Sequence, residues 1–286
     1  AGAFASTVDL ATLDGTNGFR IDGEATFDYS GYSVSSAGDI NGDGYDDLII
    51  GAWGADPNAT QSGSSYVVFG GAANATINVS TLDGTNGFLL HGVNENDYSG
   101  NSVASAGDIN GDGYDDLIVA ADGADFNGSE SGSSYVVFGK ANAFAPAVNL
   151  STLDGTNGFR LDGVAGDHSG YSVSSAGDVN GDGYDDLIIG AVGADPNGNA
   201  RSGSSYVVFG TGNAFAATVD LSTLDGTTGF RLDGEAASDQ SGYSVSAGDV
   251  NGDGYDDLII GANGTDINGN YSGSSYVVYG KAGAFD

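Results

Sequence analysis

Cysteine and methionine are both absent from the 286 residues, and only three prolines and one tryptophan occur. Without cysteine there is no disulfide framework, no zinc–thiolate site and no thiol redox chemistry. Basic residues are nearly missing too: six Lys and Arg stand against 39 Asp and Glu, a formal net charge of −33. Nucleic acid and anionic membrane surfaces are recognised through basic patches, so both are excluded as partners. No apolar run approaches the roughly 18 residues of a membrane span, which predicts no membrane insertion. Glutamate is confined to Glu24, Glu95, Glu130 and Glu235, so the acid is almost all aspartate. Aspartate together with 51 glycines favours turns and oxygen-rich metal loops over helices. Such a charge suits saline or calcium-containing surroundings, where cations screen the carboxylates. The first residue is Ala1, as expected of a chain whose leader was removed or of a piece of a longer surface protein.

What is present is repetition. The first aspartate of the string SAGDINGDGYDD recurs at Asp39, Asp108, Asp178 and Asp249, at spacings of 69, 70 and 71 residues. GFRIDG, YSVSSAGD, DLIIGA and SGSSYVVFG recur in step around it. FRID alternates and is mostly polar, which fits an outer edge. YSVSSAG is made of small residues and fits a crowded inner position. DLIIGA is a continuous apolar burst, expected of a strand buried on both faces, and SSYVVFG is rich in β-branched and aromatic residues. No amphipathic helix is predicted; VDLSTLDG at 219–226 allows one helical turn. Repeated four-stranded units mark propeller blades. The fold expected is all-β: one domain over residues 1–286, a four-bladed β-propeller with four antiparallel strands per blade. Its last unit lacks a GFRLDG of its own, so the N-terminal strand is expected to complete it and close a monomeric ring. The Ala1–Phe4 sequence reappears at Ala282–Phe285, which suggests a closing clasp or a window of a longer array. The rival to ring closure in one chain is an eight-bladed ring of two copies.

In the acidic loop, oxygen-bearing residues fall at every second position: Asp39, Asn41, Asp43, the Tyr45 carbonyl and Asp47. Gly42 and Gly44 let the chain curl. This oxygen set suits Ca²⁺ better than the smaller, strictly octahedral Mg²⁺, and it lacks the sulfur or imidazole that zinc and copper prefer. The first half matches an EF-hand loop, but the twelfth residue is Ile50 where an EF-hand has a bidentate glutamate. A strand–loop–strand calcium site is therefore expected. A hairpin turn alone would explain Asn-Gly and Asp-Gly but not aspartates at the first and ninth positions.

The unit resembles the FG-GAP repeat of the integrin α-chain β-propeller and its bacterial relatives. SGYSV (Ser30–Val34) stands in place of the Phe-Gly portion and LIIGAWGAD (Leu48–Asp56) in place of Gly-Ala-Pro. The resemblance implies one calcium ion per repeat, four in all. It carries the ligand set to Asp108, Asn110, Asp112, Tyr114 and Asp116, to Asp178, Asn180, Asp182, Tyr184 and Asp186, and to Asp249, Asn251, Asp253, Tyr255 and Asp257. The sequence departs from the family in lacking the proline, in carrying the loop in every unit, and in having no inserted ligand-binding domain.

Asp46, Asp115, Asp185 and Asp256, beside the last ligand, are expected to be solvated or to support the site. Asp28, Asp97, Asp167 and Asp239, each in Asp-x-Ser-Gly, are expected to cap turns. Two equivalent positions vary between repeats: Trp53, Asp122, Val192 and Asn263, and Tyr29, Tyr98, His168 and Gln240. They suggest a rim, where Trp53 could stack on a sugar. His91 and His168 are not equivalent, and the serines lack a paired histidine, so no enzyme is predicted. The function expected is a calcium-stabilised extracellular structural, adhesion or binding module for an unknown protein or glycan ligand, with a lectin-like propeller as the alternative.

Overall fold

The computed structural model describes residues 6–71, 76–141, 143–283 and 285; most of the Ala1–Phe4 and Ala282–Phe285 overlap lies outside them. Short β-prone bursts separated by Gly, Asn and Asp give strands of three to nine residues. In chain order they are β1 (Arg20–Asp22), β2 (Ser33–Gly38), β3 (Asp47–Ala52), β4 (Ser64–Val68), β5 (Thr76–Asn78), β6 (Gly87–His91) and β7 (Val103–Gly107). They continue as β8 (Asp116–Ala121), β9 (Ser133–Val137), β10 (Ala147–Asn149), β11 (Gly158–Asp162), β12 (Ser169–Gly177) and β13 (Asp186–Ala191). The last are β14 (Ser204–Val208), β15 (Thr218–Asp220), β16 (Gly229–Asp233), β17 (Ser241–Gly248), β18 (Asp257–Ala262) and β19 (Ser274–Val278). Single 3₁₀ turns lie between them, among them Leu221–Thr223 in the predicted place, with Asp220 accepting from the Ser222 N–H.

Each repeat starts a sheet with its three inner strands, and the next repeat supplies the fourth. Sheet I runs β2-β3-β4-β6, sheet II β7-β8-β9-β11, sheet III β12-β13-β14-β16, and sheet IV has only β17-β18-β19. These pairs are antiparallel throughout. Beyond the fourth strand, β10 adds in parallel to β6 and β15 to β11. That fifth strand was not anticipated. It is three residues long, and its pattern is too short to separate from the capped 3₁₀ turn that follows it. The inner strands stand side by side in the order β2, β7, β12, β17.

The core lies within and between the sheets. The third-strand aromatics Tyr66, Tyr135 and Tyr206 and the fourth-strand Phe88 and Phe159 are buried. Burying a side chain of this size contributes about 1.5–3 kcal/mol. Phe144 stacks on Phe88 at 4.2 Å, Phe215 on Phe159 at 4.3 Å and Phe285 on Phe230 at 4.3 Å between ring centroids. Each linker thus pins the outer strand of the preceding sheet.

The expected closure does not form. Among the described residues β1 pairs with β5, in parallel from Arg20↔Thr76 to Asp22↔Asn78, and not with β19. The β1–β5 pair repeats the β6–β10 pair, so β1 is held by the linker that follows its own repeat. Among the described residues sheet IV consequently has no fourth strand, and their row of sheets is open.

Candidate metal loops and an aromatic basin

The four acidic loops join the first and second strands of each sheet, at one end of the inner strands. Left-handed φ values of 72° at Gly42 and 89° at Gly44 turn the first loop, and a Cβ at Gly42 would collide with the Tyr114 ring from the next sheet. Asp39 spans the turn, its two carboxylate oxygens accepting from the N–H groups of Asp43 at 2.9 Å and Gly44 at 2.8 Å. Asn41 Oδ1 accepts from the same Asp43 N–H at 2.8 Å, and Asp43 accepts from the Tyr45 N–H at 3.0 Å. The other loops repeat this arrangement: Asp108 accepts from Gly113 at 2.9 Å, Asp178 from Gly183 at 2.9 Å and Asp249 from Gly254 at 3.1 Å. Among the described residues these carboxylates do not converge in threes as a ready-made metal cluster. Oxygens of the first, third and fifth positions point at backbone N–H groups instead.

The ninth position differs. Asp47, Asp116, Asp186 and Asp257 are fully buried at the start of the second strand. One oxygen of each accepts a backbone N–H from beyond the third strand: Gly70 at 2.7 Å, Gly139 at 2.8 Å, Gly210 at 2.9 Å and Gly280 at 2.9 Å. In Asp186 and Asp257 the other oxygen accepts from Val179 and Val250. In Asp47 and Asp116 the other oxygen is buried, and the equivalent N–H groups of Ile40 and Ile109 approach it without a well-formed hydrogen bond. Burial pushes the Asp47 carboxyl up to about 6, with the nearby charges of Asp43 and Asp39 adding to the effect. It pushes Asp116 and Asp186 up to about 8. A buried carboxylate oxygen without a well-formed hydrogen bond is costly, and a hard cation is one way to offset that cost. The donor set is entirely oxygen, as Ca²⁺ requires.

Asp115, Asp185 and Asp256 do more than their predicted supporting role. Each reaches into the preceding sheet and accepts the N–H of that loop's first aspartate: Asp39 at 2.8 Å, Asp108 at 2.8 Å and Asp178 at 3.1 Å. They tie loop to loop. Their one legible signal was that the second aspartate of Tyr-Asp-Asp recurs in all four units. The Asp-x-Ser-Gly aspartates cap as expected in three repeats: Asp28, Asp97 and Asp239 accept from Ala25, Asn94 and Ala236. Asp167 accepts from the Tyr206 hydroxyl at 3.0 Å.

At the opposite end of the inner strands, the residues that vary between repeats gather. Tyr32, Asn101, Tyr171 and Tyr243 occupy one equivalent position where the four inner strands begin and line a single cavity of about 490 Å³ with Trp53, Gln61, Tyr98 and Asp122. Trp53 stacks flat on Tyr29 at 4.9 Å and meets the edge of Tyr98 at 5.5 Å. Tyr171 and Tyr243 lie 5.1 Å apart. Trp53 Nε1 and Asn101 Oδ1 are buried and unpartnered. Burial pushes Asp122 up to about 6, partly offset by His168. Tyr29, Tyr98, His168 and Gln240 all hold left-handed backbone, φ 51–57°. That conformation is unusual for bulky residues and turns the chain sharply at the rim. Val192 and Asn263, the other members of Trp53's set, do not line the cavity.

Antiparallel sheets standing side by side by their inner strands, each with the same aspartate hairpin, define a propeller-type repeat protein. The FG-GAP repeat matches residues 30–68, 99–137, 169–208 and 241–278. The chain belongs to this family. It is similar to integrin alpha-5 of Xenopus laevis, 32% identical over 62% of this chain and 16% of that protein. It is 29% identical to integrin alpha pat-2 of Caenorhabditis elegans over 84% of this chain and 18% of that protein. Integrin alpha-IIb of Mus musculus is 31% identical over 72% of this chain and 18% of that protein. Each match thus covers less than a fifth of the relative's length. No helix among the described residues is long and apolar enough to cross a membrane.

Proposed function

We propose that the chain is a calcium-dependent binding or adhesion module working outside the cell, with each loop holding one Ca²⁺. The ligands are the first, third, fifth and ninth side chains and the seventh carbonyl, as in Asp39, Asn41, Asp43, Tyr45 and Asp47. When bound, the ion supplies positive charge that gathers these oxygens and offsets their mutual repulsion. The supporting observation is the buried ninth-position carboxylate, with one poorly bonded oxygen in Asp47 and in Asp116, at the end of an all-oxygen loop. The likeness to integrin alpha chains supports the adhesive role and the extracellular location. If free calcium is about ten times the dissociation constant, each loop adds about 1.4 kcal/mol, and four add on the order of 5–6 kcal/mol. Elemental analysis should find four calcium ions per chain, and EDTA should lower the melting temperature by on the order of 10 °C. An unchanged melt with no metal found would refute the reading.

A lectin-like role is the second reading, and the aromatic basin favours it. Trp53, Tyr98 and Tyr243 offer faces for the apolar side of a sugar ring, while Gln61 and Asp122 in the same lining offer partners for hydroxyls. Trp53 is the only tryptophan, so its emission reports on the basin alone. A saturable change on titration with one of a panel of neutral oligosaccharides, lost in Trp53→Ala, is expected. A flat response across the panel would end this reading.

A further inference from the structure

The end of each of the last three acidic loops acts on the loop before it. Asp115, Asp185 and Asp256, at the eighth position, accept the N–H of Asp39, Asp108 and Asp178, each the first residue of the preceding loop, at 2.8, 2.8 and 3.1 Å. These carboxylates lie so close over Gly38, Gly107 and Gly177 that no Cβ would fit there. One residue earlier, the rings of Tyr114, Tyr184 and Tyr255 lie over Gly42, Gly111 and Gly181 of the preceding loop, where a Cβ would again collide. The preceding loop is therefore held at its first and fourth residues.

A second route runs through the backbone. The buried ninth-position aspartates Asp116, Asp186 and Asp257 accept from the N–H groups of Gly139, Gly210 and Gly280. The next residues, Lys140, Thr211 and Lys281, donate their own N–H to the carbonyls of Ile40, Ile109 and Val179 in the preceding loop, at 2.9, 2.9 and 3.0 Å. Those three residues directly follow the first aspartate of that loop. The seventh, eighth and ninth residues of one loop thus fix the first, second and fourth residues of the loop before it, and the pattern recurs at all three seams.

We propose that calcium binding is coupled from loop to loop along the row, so that an occupied loop raises the affinity of its neighbours. The inference rests on the reading that each loop holds one Ca²⁺. An ungathered loop samples many conformations, and fixing each residue's backbone costs conformational entropy. Tyr114, Asp115 and Asp116 are consecutive, so holding the Tyr114 carbonyl and the Asp116 carboxylate as ligands also fixes Asp115 between them. Asp115 in turn holds the Asp39 N–H, and part of the ordering of the first loop is done before its own oxygens gather. The coupling is reciprocal, because a free-energy link between two sites acts equally in both directions. It is strongest between neighbours, as in stacked repeats whose units touch only adjacent ones. Asp115, Asp185 and Asp256 lie outside the ligand set and are positioning residues for the loop before them.

The test is a calcium titration of the 286-residue chain followed by amide NMR. Gly44, Gly113, Gly183 and Gly254 each donate their N–H to the first aspartate of their own loop, so their resonances report the four sites separately. Asp112→Ala removes a ligand of the second loop. It should weaken binding in the first loop on the order of tenfold, weaken the third loop less, since that loop keeps its other neighbour, and leave the fourth nearly unchanged. Asp115→Ala leaves every ligand in place yet should weaken the first loop by a similar factor. Asp115→Asn loses the same charge but keeps an acceptor oxygen, and should restore most of the affinity. Equal weakening of the three intact loops in Asp112→Ala, an unaffected first loop, or equal losses in the two Asp115 variants would each overturn the coupling. Glycine resonances that do not move with calcium at all would overturn the calcium reading itself, and the coupling with it.

Discussion

The two ends of the inner strands carry opposite kinds of repetition. At one end the loops at 39–47, 108–116, 178–186 and 249–257 are near copies, each starting with aspartate and finishing with a buried aspartate. At the other end the equivalent positions read Trp53, Asp122, Val192 and Asn263, and contributions from all four repeats meet in one basin. A feature copied without change serves what every sheet needs separately, which is a closed hairpin and a tie to its neighbour. A feature that differs at each copy serves one place assembled once. In this molecule the loops tie neighbouring sheets together, and the basin is put together once, from residues that differ between repeats.

Perturbations of the two ends should separate accordingly. Stripping calcium from all four loops has the largest effect, the loss of roughly 5–6 kcal/mol already given, and basin substitutions should not alter its size. A basin substitution that changed the size of the EDTA effect would break the comparison. Next is Asp116→Ala, which removes one loop's ninth ligand and the acceptor of the Gly139 N–H. Differential scanning calorimetry in calcium should show a loss of about 2–3 kcal/mol. In EDTA the loss should fall below half of that, because the substitution also removes a buried, poorly bonded carboxylate oxygen. An equal loss in both buffers would mean that Asp116 is only a strand residue. Smallest is Asp122→Asn in the basin. Burial raises this carboxyl to about 6, above its unfolded value, so the folded state holds the proton more tightly. The cost of ionising it is absent below about pH 4, grows to about pH 6 and is complete above that. The variant should therefore be more stable than the natural chain at pH 8 and equal to it at pH 4. Destabilisation at pH 8 would show that the ionised Asp122 has a partner.

Much of this was legible because each unit states its pattern four times. DLIIGA reads as a strand buried on both faces, and β3, β8, β13 and β18 begin at the loop's ninth residue as the motif implies. The loop residues are adjacent in sequence, so their shared hydrogen bonds follow from local turn geometry alone. What escaped is contact between repeats. Nothing local in Tyr-Asp-Asp says that Asp115 will cap Asp39, some 76 residues away. Nothing in RID says which free edge β1 will take, because a three-residue strand has too little pattern to choose between β5 and β19. The basin was visible only as variation. Its convergence depends on the curvature of the row, which no single repeat encodes.

The offset between repeat and sheet has a consequence for how such chains can change length. Because every sheet borrows its last strand from the following unit, inserting or deleting one unit of about seventy residues leaves each internal seam chemically the same as before. Growth by duplication therefore needs no new interface. The number of sheets is free to drift until curvature brings the two ends together, and it is the geometry of that meeting, not any single residue, that selects the count.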